Sequence, residues 1–129
     1  KLNERNHYRS INKREQTFIN LATTSGKFTL GSQHNISNHE LVTGHVVISV
    51  DYFKRLLASL RNFFGGSIQA YETLLDRARR EAILRMKENC KNADEIINLR
   101  IETSSISKGK RNTIGSVEVL AYGTALYRD

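Results

Sequence analysis

The chain is poor in cysteine and has no proline. One cysteine, Cys90, in 129 residues cannot form an internal disulfide. It also excludes a self-contained Cys-rich zinc site and fits a reducing, cytoplasmic setting. No apolar run approaches the roughly 18 residues that a membrane-spanning helix needs. No secretory signal stands within the chain. It starts at Lys1 rather than Met, which leaves room upstream for a tag remnant, a leader or an anchor. Catalytic signatures are missing too. A phosphate-cradling Walker loop requires a lysine after its second glycine. "GGSIQAY", from Gly65, has none and follows a helical rather than a strand pattern. The dinucleotide fingerprint fails as well. "IGSVEV" lacks the Gly-x-Ser-x-Gly of a nucleophile elbow, and no two histidines stand four apart on a helix.

What is present is charge and pattern. Hydrophobic residues make up 39% and charged residues 26%, enough apolar material for a modest core in one domain. The net charge is +7, with six Lys/Arg against three Asp/Glu in residues 1–40 and fourteen against ten in residues 41–129. An excess spread this evenly suits a soluble basic surface and permits nucleic acid, anionic lipid or acidic partners. Residues 1–40 are polar and read as an N-terminal extension with a loose start, packing on the domain as an added edge strand. "TFINLAT" and "KFTL" are its short strand candidates.

From Leu41 the pattern firms up. "ELVTGHVVISV" is β-branched and predicts a strand. Asp51 is a good helix N-cap. Phe53, Leu56, Leu57, Leu60 and Phe64 then recur at helical spacing. Gly65 and Gly66 end that helix, either as a hinge or as an anion-friendly start to the next helix. A long helix is predicted from Ser67 to about Lys91. Its apolar stripe runs through Tyr71, Leu74, Leu75, Ala78, Ala82, Met86 and Cys90. Its charged face holds Glu72, Asp76, Arg79, Arg80 and Glu88. Asp76–Arg80 and Glu81–Arg85 are acid-then-base pairs four apart, and Glu72, Asp76 and Glu81 read as solvated. Two strands close the chain. In "DEIINLRIE", Ile97, Leu99 and Ile101 share a face. In "SVEVLAYGTALYR", Val117, Val119, Ala121, Gly123 and Ala125 share another. The polar "TSSISKGKRNTIG" between them suits a flexible hairpin loop. The fold class is α+β, with an antiparallel sheet packed by two helices in the order strand, helix, helix, strand, strand.

The words "LVTGHVV", "RNFFGGSIQAYETLLDRARREAI", "NADEIINLRIE" and "VEVLAYGTAL" together resemble the YbjQ-like family, whose label is heavy-metal binding. The resemblance covers Leu41 to Leu126 and sets domain bounds of 1–40 for the extension and 41–129 for the family domain. It implies a two-layer α+β subunit in a symmetric ring, a homopentamer. One departure is Asn92 in "NADE", where the family commonly has glycine after the long helix. Asparagine tolerates the left-handed backbone such a turn needs. Glu95 replaces a small residue.

Candidate sites follow. His34, His39 and His45 are possible ligands for a transition or heavy metal ion. In a ring, one histidine per subunit can converge on an axis. Cys90 closes the apolar stripe, either as a packed thiol or as a soft ligand needing partners from other subunits. Lys108, Lys110 and Arg111 offer charge to phosphates. Phe63 faces away from the helical stripe and could serve a neighbouring subunit. The reading is a non-enzymatic oligomeric binding or scaffold protein. The alternatives are a nucleic-acid or anionic-surface adaptor using basic loops, or an enzyme with sites shared between subunits.

Overall fold

A computed structural model describes residues 2–31, 35–49, 67–107 and 114–129, with side chains over 5–31, 35–49, 72–104 and 116–129. Its elements are α1 (Leu2–Thr17), β1 (Ala22–Thr23), β2 (Ile36–Ser49), α2 (Ser67–Glu88), β3 (Glu95–Ser107) and β4 (Ile114–Arg128). The helix expected after Asp51, with Phe63 and the Gly65–Gly66 pair, lies outside the described residues.

The fold is α+β, but the sheet is mixed rather than purely antiparallel. Its order is β1-β3-β4-β2. β4 pairs antiparallel with both neighbours, whereas β1 runs parallel to β3 through Ala22↔Glu95 and Thr23↔Ile96. β2 begins at Ile36, inside the stretch read as extension. The polar "TSSIS" belongs to β3, so much of the expected hairpin loop is strand.

α2 forms where the 3.6-residue period predicts it. Leu74, Ala78, Ala82, Met86 and Cys90 are all buried. The last turn tightens as the Cys90 amide donates to the Lys87 carbonyl at 3.1 Å. The helix lies on the face of the sheet formed by Val42, Gly44 and Val46 of β2 and Val119, Ala121 and Ala125 of β4, as the two-residue alternation requires. Gly44 lets the helix backbone touch the strand. A Cβ there would meet the Ala82 carbonyl oxygen and the Met86 nitrogen, each at 2.3 Å.

Two local expectations fail. Among the described residues the non-glycine at positive φ is Asn98, at φ 56°, and not Asn92. It sits in a β-bulge between Ile97 and Arg100. The bulge changes the alternation of β3, so the inward set is Ile96, Leu99 and Ile101 rather than Ile97, Leu99 and Ile101. Gly123 lies under it, since a Cβ there would press within 3.0 Å of the Ile97 carbonyl oxygen.

The largest surprise is α1. Residues 2–17 form a helix, not a loose start, and "TFINLAT" contributes only a turn and the two residues of β1. α1 packs on a second face of α2 through Ile11, which is fully buried, and through a row of charges.

Candidate functional site

The second buried face of α2 carries Arg77, Glu81 and Leu84. Glu81 is therefore not solvated, as the charged-face reading had it, but 6% exposed. Three cationic or potentially cationic groups converge on it. Arg14 of α1 pairs with Oε2, Arg85 donates from Nε to Oε1 at 3.2 Å, and His7 Nε2 lies 3.3 Å from Oε2. Burial alone would push its carboxyl up, but Arg14, with Arg85 and His7, holds it below the usual range. The network extends further. Arg14 also donates to Glu88 at 3.1 Å, and Arg85 Nη1 donates to the His45 carbonyl of β2 at 2.9 Å. A parallel clasp joins Arg80 to Glu15 by two bonds of 2.8 Å and to Asn12 by another of 2.8 Å. Tyr8 faces Arg77 and Arg80 at 5.8 and 6.0 Å from its ring. Only the i, i+4 pairs Asp76–Arg80 and Glu81–Arg85 were visible in the sequence, because the remaining partners lie 40 or more residues away.

Another buried carboxylate, Glu95, ties the segment before β2 to the sheet. Glu95 is 2% exposed. It accepts from the Leu30 amide at 2.7 Å, from the Thr29 hydroxyl, and from Arg128 Nη2 at 2.7 Å. Its burial raises the carboxyl, and these donors more than reverse the effect.

The sequence-predicted ligands do not meet. His39 and His45 stand exposed on β2, opposite Leu126 and Leu120 in the register. Six residues of strand separate them by roughly 20 Å, too far to share an ion. Cys90 is buried and donates to the Met86 carbonyl at 3.4 Å. Burial, then the nearby charge of Glu40, pushes its thiol up, away from the thiolate a soft metal takes. Glu40 is itself engaged by the Tyr127 hydroxyl, whose pKa that bond pushes up to about 12. His34, Lys108, Lys110 and Arg111 lie outside the described residues. Among the described residues no three His, Cys, Asp or Glu side chains gather where they could hold one ion. The described residues of the chain thus do not fit a heavy metal by themselves.

A groove of about 630 Å³ runs between the end of α1 and the α2–β3 turn, floored by Phe18, Leu21 and Ala93. Its one hydroxyl, on Thr17, is spent on the Lys13 carbonyl at 3.1 Å. The sheet itself is more open. β2 is an edge strand of 14 residues with no strand on its outer side among the described residues. At the opposite edge β1 pairs with Glu95 and Ile96 of β3, the Asn98 and Leu99 amides donate to the Gly26 and Thr24 carbonyls at 2.9 and 3.0 Å, and from Arg100 on no described strand lies outside β3. Leu41 and Val47, on the face of β2 away from α2, are 72% and 56% exposed. Among the described helices, none is long and apolar enough to cross a membrane.

Among the described residues these features define an α+β protein with one sheet, a helical layer on one face and two open strand edges. Residues 22–128 match the family described as "Putative heavy-metal-binding", and the chain belongs to this YbjQ-like family. A UPF0145 protein of Hahella chejuensis is 37% identical over 110 residues, covering 83% of this chain and 93% of its own. A UPF0145 protein of Vibrio parahaemolyticus is 43% identical over 88 residues, covering 67% and 78%. A crystal structure of a protein of unknown function from Pediococcus pentosaceus, assigned to the DUF74 family, shares 16% identity. It aligns over 84% of this chain and 98% of its own with a TM-score of 0.38, a likeness from which nothing is drawn. The family match reaches back to residue 22, well before Leu41, and α1 lies wholly ahead of it.

Proposed function

We propose that the chain is a non-enzymatic, self-assembling binding protein, and that any metal it carries is held by donors from more than one subunit. The observation that supports this is the pair of open edges on opposite sides of one sheet. A long unpaired edge is a template for another strand. Pairing β2 of one copy with the free part of β3 of the next is a head-to-tail contact, which closes into a ring when the rotation allows. The family resemblance supplies the number five. His39 and His45, exposed on that edge strand, are the donors a neighbour could reach.

Native mass spectrometry with metal analysis of the same sample tests both parts. A pentamer carrying metal in fixed ratio to subunits, lost in His45→Ala or His39→Ala, supports the reading. A monomer at micromolar concentration overturns the assembly. A metal-free ring that takes up neither zinc nor copper overturns the shared metal site. Leu41→Lys with Val47→Lys is expected to shift the ring toward monomer.

A further inference from the structure

α1 has two faces of different chemistry. Its inner face, with His7, Tyr8, Ile11, Arg14 and Glu15, is consumed by α2. Its outer face presents Arg5, Arg9 and Lys13 at intervals of four, all exposed. A spacing of four places them in one row, about 12 Å from first to last. Around them stand Asn6, Ser10 and Gln16, also exposed. None of the three cations makes an ion pair among the described residues. Glu15 and Asp76 are both turned toward Arg80.

We propose that this face of α1 docks on the phosphate backbone of duplex DNA. The charge is complementary, and the amide and hydroxyl side chains between the cations suit phosphate, sugar and base-edge contacts. A helix 10–12 Å across matches a major groove about 12 Å wide, and the ionic clasp to α2 holds it rigid for docking. An anionic membrane is disfavoured because, among the described side chains, this face carries no apolar residue to enter the acyl boundary. Single strands are disfavoured because the one aromatic ring of α1, Tyr8, is occupied by Arg77 and Arg80 and is not free to stack on bases. The site lies ahead of the family-matched residues.

The test is fluorescence anisotropy of a labelled 20-base-pair duplex with the full chain, titrated from about 50 to 200 mM salt. Saturable binding is expected, with log affinity falling against log salt by about 3 per bound subunit, since three neutralised phosphates give a slope near −2.7. R5A/R9A/K13A is expected to weaken binding at least tenfold with an unchanged circular dichroism spectrum and melting temperature. The charge-conserving R5K/R9K is expected to retain it. Binding that survives the triple alanine substitution overturns the proposal. So does loss only on K108A/K110A/R111A, or binding to phosphatidylserine vesicles with none to the duplex.

Discussion

Gly44 of β2 and Met86 of α2 are in backbone contact: a Cβ built on Gly44 would lie 2.3 Å from the Met86 nitrogen. The obstacle on both sides is helix main chain, which has no rotamer to move aside. Gly44→Ala must therefore lift α2 from the sheet along Ala78, Ala82 and Met86. We expect a loss of about 2–3 kcal/mol or more, read as a lower denaturation midpoint with an unchanged slope. Gly26, whose nearest neighbour to such a Cβ is the Thr24 hydroxyl at 3.9 Å, is the control and should tolerate alanine. Equal losses at both positions would rule out the contact as the cause.

The periodic parts of this fold could be read directly. α2 and β4 each bury one apolar stripe, and the stripe repeats at the period of its element, so Leu74 to Cys90 and Val119 to Ala125 were placed correctly. α1 was illegible because its buried face is mostly charged. His7, Arg14 and Glu15 look like surface residues until Glu81, Glu88 and Arg80 arrive from across the chain. The inward set of β3 was misread because a single left-handed residue, Asn98, breaks the alternation, and nothing nearby in the chain announces it. The candidate ligands were legible as residue types only. Whether His39 and Cys90 share a site depends on which side of β2 each lies, and they lie on different ones.

Glu81 makes three ion pairs, and removing it should expose what they contribute. Glu81→Gln leaves Arg14 partly buried beside a neutral amide. Breaking a fully buried pair costs about 3–5 kcal/mol. Half the Arg85 side chain is exposed, so its share is screened and a loss of about 1–3 kcal/mol is expected. The readout that separates charge pairing from packing is a double-mutant cycle with Arg14→Ala. A coupling energy above about 0.5 kcal/mol is expected, and strict additivity would show that the two side chains act independently.

Stability should fall on acidification. Glu15 is held below its ordinary carboxyl range by the Arg80 hydrogen bond. Glu81 and Glu95 are held below it too, their donors outweighing their burial. Because these folded values lie below the unfolded value of about 4.3, the unfolded chain takes up protons first as pH drops. The stabilisation is complete above about pH 5 and is lost as pH falls through the folded values. Melting temperatures measured from pH 7 to pH 3 should hold level and then descend. Glu81→Gln and Glu95→Gln should each start lower and descend less. A melting temperature that stays level down to pH 3 in the unsubstituted protein would contradict the pairing.

Cys90 offers a direct test of whether its thiol is available to a metal or an oxidant. Its side chain lies against the core cluster of Ala82, Met86 and Ile96, its hydrogen is given to the Met86 carbonyl, and burial pushes its pKa up. All three features lower the thiolate fraction and the access that alkylation and metal ligation both need. Iodoacetamide at pH 7.5 should label the native protein far more slowly than the urea-unfolded chain. The native labelling rate should rise in Gly44→Ala, where α2 is lifted. Labelling of the native protein at the rate of a free thiol would show that Cys90 reaches solvent, and would return it to the set of metal ligands alongside His39 and His45.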